Sequence, residues 1–140
     1  MNMSRNPIDM LSKILAVAFC VALLAGCASW EQLTKDQQAR VVLDIAQEQL
    51  TNLRQGGKDW VLSLPEDTQE EKQYKLEKAQ QWNTTVLPAI QIANDWIGDL
   101  MHELSRSESV TLDRYAVQRL VYPYINKVIF LLVDMGYIPN

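Results

Sequence analysis

Apolar residues recur along most of this chain at intervals of three and four, the period of one helix face, and no stretch shows the strict alternation of a half-buried strand. The first stripe is Ala39, Leu43, Ala46, Leu50 and Leu53, with Arg40, Asp44, Gln47 and Glu48 on the remaining surface. Thr34-Lys-Asp-Gln37 precedes it and fits a capping box, in which the Thr hydroxyl and the Gln side chain each satisfy a backbone N–H at a helix start. Gly56-Gly57 is expected to end this helix, glycine being the residue that tolerates a left-handed cap. Lys58 to Leu64, containing Trp60, Val61 and Leu62, then reads as a connection whose apolar residues cover one end of a bundle.

Ser63-Leu-Pro-Glu66 offers a second capping box, with Pro65 tolerated in a first turn and Glu66, Asp67, Glu70 and Glu71 complementing the positive helix end. Lys72, Lys75 and Lys78 follow, and the whole charge run reads as a solvated face. The longest stripe comes next: Ala79, Trp82, Val86, Ile90, Ala93, Ile97, Met101 and Leu104. It keeps phase through Pro88, which predicts one helix kinked near residues 84 to 88 rather than two helices. Ser105 to Val110 is a turn, and Thr111 with Asp113 starts the last helix. That helix carries Tyr115, Leu120 and Val121, a second kink or break at Pro123, and then the most apolar part of the chain. Gly136 caps it and Pro139 stops it. The pattern predicts an all-α fold, an antiparallel bundle of three long helices kinked by proline.

The N-terminus follows another pattern. Arg5 and Lys13 precede Ile14 to Leu24, an unbroken apolar run of eleven residues, followed by Ala25, Gly26 and Cys27. A run that short falls well below the roughly 20 residues needed to cross a bilayer, so it reads as a cleaved leader. Leu24-Ala25-Gly26-Cys27 resembles the lipobox of bacterial lipoproteins at all four positions. Cys20 does not qualify, because Phe19 stands where Gly or Ala is required.

The resemblance implies cleavage before Cys27, acylation of its thiol, and anchoring without a membrane span. Three parts follow: a signal peptide over 1–26, a lipidated Cys and short tether over 27–33, and a helical domain over 34–140. Ala28, in place of the Asp that commonly retains such proteins in the inner membrane, implies the periplasmic face of the outer membrane. A host with a single membrane would hold the chain at that membrane instead. Trp30 lies close enough to the lipid to rest at the headgroup level, or else packs under the bundle.

Charge changes the picture only by exclusion. The whole chain carries 13 basic and 17 acidic side chains, a net of −4. Losing Arg5, Lys13 and Asp9 with the leader leaves 11 against 16, a net of −5 over 114 residues. Such a domain has no electrostatic reason to approach nucleic acid or anionic headgroups. Acylation of Cys27 also leaves it without a thiol for a disulfide, a metal or catalysis.

No catalytic constellation, metal site or cofactor motif is expected. Asp95, Asp99 and His102 share a helix face, but carboxylate-bundle metal sites need a second such motif and the chain has a single His. The aromatic side chains Trp60, Trp82, Trp96, Tyr115, Tyr122, Tyr124 and Phe130 are numerous for three helices. Residues 128 to 133 are apolar on every face, more than an edge helix can bury, and Lys127 and Asp134 bound this six-residue run too closely for a span. A partner groove is therefore expected at Tyr124, Val128, Phe130 and Leu131. Together these features predict a non-enzymatic envelope module that binds another protein, or alternatively a carrier of lipid or a small apolar ligand. In general design the chain resembles the small helical pilotin lipoproteins that escort secretin subunits.

Overall fold

A computed structural model describes residues 32–106 and 112–139. The expected leader, the lipobox-like residues Leu24, Ala25, Gly26 and Cys27, most of the expected tether, and the Ser107 to Thr111 part of the expected turn lie outside the described residues. The described chain is all α-helix in three long rods. Helix α1 is Lys35–Ser63; α2 is contiguous through an α segment Gln69–Gln81, a π turn Trp82–Val86 and an α segment Leu87–Arg106; α3 is Arg114–Met135. The Arg40 guanidinium donates to the Leu104 carbonyl at 3.3 Å, placing the start of α1 beside the end of α2. Gly57, Trp82 and Leu132 meet at the other end, so α1 and α3 run together and α2 runs against them.

The apolar stripes form the core. Leu43, Leu50, Val86, Ile90, Val117, Val128, Leu132 and Met135 are fully enclosed, and no polar or charged residue is buried among the described residues. Each helix supplies one face to a shared interior, the arrangement that removes most apolar area from water for three rods. The first part of α2, Gln69–Gln81, buries no residue fully, as its charge run predicts; only Ala79, near its end, packs against the core. It leans on the end of α1 through Lys75, which donates to the Leu62 carbonyl at 3.1 Å and pairs with Glu66 at 3.4 Å.

The helix ends show where local chemistry decides. The Thr34 box is present in both directions, with the Gln37 amide bonding the Thr34 hydroxyl at 3.2 Å and the Thr34 amide bonding the Gln37 side chain at 2.9 Å. Asp113 caps α3, accepting from the Ala116 amide at 2.8 Å. Gly136 closes it in the left-handed region at φ 94°, with the Tyr137 amide returning to the Leu132 carbonyl.

Two expectations are corrected. Gly56-Gly57 does not end α1, which continues for six more residues, so Lys58 to Ser63 is helix and not a connection. Gly57 keeps helical φ and serves close approach: a Cβ there would stand 2.4 Å from Trp82 Cζ3 and 3.3 Å from Leu132 Cδ2. The second capping box is not Ser63-Leu-Pro-Glu66. Pro65 keeps Leu64 in extended backbone, and the Ser63 hydroxyl turns back to the Trp60 carbonyl at 2.8 Å. The box that starts α2 is Thr68 with Glu71, whose carboxylate also accepts from the Asp67 amide.

The prolines are accommodated without a break. Pro88 has no N–H, and the turn before it widens to a π turn in which the Leu87 amide reaches the Trp82 carbonyl. The single helix expected through Pro88 is therefore present, with the π turn as its irregularity. Helix α3 likewise runs through Pro123.

Gly57 and Gly98 are expected to respond oppositely to alanine. Helix propensity alone favours alanine by about 0.8–1 kcal/mol at either position. At Gly98 nothing lies within 4 Å of the new Cβ, so the gain should appear as a higher denaturation midpoint. At Gly57 the ring of Trp82 must move, and overpacking of this kind costs about 1–3 kcal/mol. Urea unfolding of both variants should give shifts of opposite sign.

Tyr137 gives the fold an alkaline limit. It is buried against Trp60, ring centroids 5.9 Å apart, and burial, with Asp59 nearby, raises its phenol above the ordinary 10.0. The unfolded chain therefore releases this proton first. Stability is unaffected below pH 10 and is lost as pH rises through 10 toward the folded value. Denaturant unfolding across the alkaline range should show this loss, and Tyr137→Phe should remove its share of the slope.

Candidate functional site

Helix α3 is the element whose surface the fold leaves incompletely covered. Its inward positions Val117, Val121, Ile125, Val128 and Leu132 are buried. Its outward side carries Tyr115, Tyr122 and Ile129, each seven residues after the last and so in one line, with Phe130 beside them; all four are exposed, Phe130 at 69%. The polar residues on this side are Arg119 and Asn126, with Lys127 and Asp134 at its margin. The Arg114 guanidinium lies over the Tyr115 ring at 4.7 Å and bonds its hydroxyl at 2.7 Å, fixing that ring at the N-terminal end of the row.

The seam between α3 and α2 is filled. Trp96 donates its indole N–H to the Leu120 carbonyl at 2.9 Å, and its ring stands 5.7 Å from that of Tyr124. Ile92, one turn before Trp96, and Leu120, one turn before Tyr124, are exposed beside this pair.

The four residues expected to form a groove do not share one surface. Tyr124 is half-buried against Trp96, Leu131 packs on the core, and Val128 lies inside it at 0% exposure. Only Phe130 faces solvent. Two residues along a helix turn the side chain by roughly 200°, so Val128 and Phe130 are on nearly opposite faces. Tyr115, Tyr122 and Ile129 take their place in the outward row. The heptad spacing of these three was visible in the sequence, but nothing there showed whether it faced in or out.

The remaining aromatic side chains are structural. Trp82 is buried at the junction of the three helices, and Trp60 packs on Tyr137. Asp95, Asp99 and His102 stand on the solvent side of α2. Among the described residues, no three His, Cys, Asp or Glu side chains converge in a way that would hold a metal ion.

By length and composition α3 also meets the minimum for crossing a membrane, with 22 residues and a mean hydropathy of 1.2 over its most apolar 18-residue stretch. Its inward face is nonetheless part of the bundle core, the behaviour of a core helix with one uncovered side. The chain matches no protein-family model, no curated protein and no solved structure.

Proposed function

We propose that this chain is a lipid-anchored periplasmic module that binds another envelope protein through the outer face of α3 and carries out no catalysis. The observation that supports this most is the row of Tyr115, Tyr122, Ile129 and Phe130, large apolar side chains exposed on a helix whose other side is in the core. Aromatic side chains bury much area at low entropic cost, which makes them the usual anchors of protein interfaces. Arg119 and Lys127 beside the row would set register with an acidic partner surface.

The lipobox-like Leu24-Ala25-Gly26-Cys27 supplies the anchor, at the outer membrane by virtue of Ala28. Helix α1 begins at Lys35, eight residues beyond Cys27, so an acylated chain would hold the bundle within about 25 Å of the bilayer. The second reading, carriage of a lipid or small apolar ligand, draws support from a cleft between α1 and α2 that no residue of α3 lines.

A photoreactive phenylalanine analogue at position 130, compared with the same analogue at exposed Glu48 of α1, tests the proposed surface in intact cells. A single dominant adduct to another envelope protein, formed from position 130 and not from 48, is the expected outcome. Adducts only between copies of the chain would replace the proposal with self-association, and no adduct at all would defeat it.

A further inference from the structure

We infer that the cleft between α1 and the first half of α2 is a binding site for a single-chain anionic amphiphile. The tail would lie on Val61, Ala79, Trp82 and Leu87, and the head group on Arg54 and Lys58. The cleft has a volume of about 480 Å³ and opens to solvent on one side. That volume falls within the roughly 300–1,000 Å³ of ordinary small-ligand sites. The π turn at Trp82–Val86 builds its α2 wall, and Gly57 lets the Trp82 ring seat deeply at its back.

The chemistry of the lining is divided. One part is apolar; the other holds Thr51, Gln55 and Asn83 with the two cations. Arg54 and Lys58 are one turn apart on α1, an arrangement of like charges that is unfavourable by itself. Neither side chain has a hydrogen bond or ion pair among the described residues. At the Leu62 end of the cleft Lys75 bonds the Leu62 carbonyl and is paired with Glu66, while the nearest carboxylate in sequence, Asp59, accepts from the Gln55 amide at 2.9 Å. On a chain with a net charge of −4, two uncompensated cations at the rim of an apolar wall are complementary to an anionic head joined to a hydrocarbon tail.

A bare anion would leave the apolar wall unused, and a neutral apolar molecule would leave the cations unused. A bilayer surface does not fit a concave site roughly 30 Å along α1 from its N-terminal end. The site shares no residue with the outward row of α3, so it stands or falls independently of the partner proposal.

Equilibrium dialysis of the purified protein against dodecanoate, dodecyl phosphate and dodecanol tests this directly. The two anionic probes should bind saturably at one site per chain, and dodecanol about tenfold or more weakly. Arg54→Gln with Lys58→Gln should weaken the anionic probes by about tenfold and leave dodecanol unchanged. Ala79→Trp should abolish all three by filling the wall, with helical content confirmed by circular dichroism; if that variant does not fold, Thr51→Trp fills the same space from α1. Tighter binding of the carboxylate points to free fatty acid as the source, and tighter binding of the phosphate to a lysophospholipid. Equal affinity for dodecanol, absence of saturable binding to the folded protein, or binding unchanged by both charge removal and filling would each overturn the inference.

Discussion

Trp82→Ala should lower the unfolding free energy by about 3–5 kcal/mol, the largest loss expected from any single truncation in this bundle. Trp82 is only 6% exposed, its ring reaches the backbone of α1 at Gly57, and Leu132 of α3 approaches the same point. Removing the indole leaves a void bounded by three helices. Helical backbones cannot close onto such a void without shifting along their whole length, so little of the cost is recovered by collapse. The π turn adds to the effect, because the residue that begins it would lose the packing that holds it. Denaturant unfolding should show a lower midpoint at unchanged slope. A loss below about 1 kcal/mol would mean that this indole does not sit at the three-helix junction.

The stripes and the caps were legible in the sequence for a physical reason: both are local or periodic. Leu43, Leu50, Ile90 and Ile97 recur at helical spacing and lie in the core, while Thr34, Asp113 and Gly136 cap helices through groups within a few residues of themselves. Gly57 was misread because glycine serves two purposes, a left-handed turn or a close approach. Which one applies depends on Trp82, on another helix and far along the chain. Ser63 was expected to cap the second helix, but Pro65 holds Leu64 extended and leaves Ser63 on the departing helix, so the cap falls to Thr68. The candidate site was hardest to place. In residues 128 to 133 every position is apolar, so hydrophobicity carries no phase there. The phase is set upstream by Val117, Val121 and Ile125, which put Val128 inside and Phe130 outside.

Pro123→Ala should stabilise the fold by roughly 1–3 kcal/mol, an unusual sign for a substitution in the middle of a helix. Pro123 is exposed within α3, so its removal costs little packing. Its ring opposes the preceding turn, and its missing N–H leaves the Arg119 carbonyl without a helical donor. Alanine restores both the donor and the best helix propensity. For a domain of this size the gain should raise the melting temperature by several degrees or more. An unchanged or lower melting temperature would show that the turn around residues 119 to 123 draws compensation from elsewhere. The natural candidate is the Trp96 indole, which bonds the adjacent Leu120 carbonyl and ties this turn to α2. Trp96→Phe in both backgrounds would then expose the coupling as non-additive changes in stability.

Anchor and interaction surface are tested together by a crosslinking pull-down from cell envelopes with the native chain and with Cys27→Ser. The native chain should fractionate with the outer membrane and capture one dominant envelope protein, and Cys27→Ser should lose both the membrane fraction and the partner. Retention of Cys27→Ser in the membrane would contradict the lipid anchor, and a native chain that captures nothing specific while properly fractionated would contradict the envelope partner.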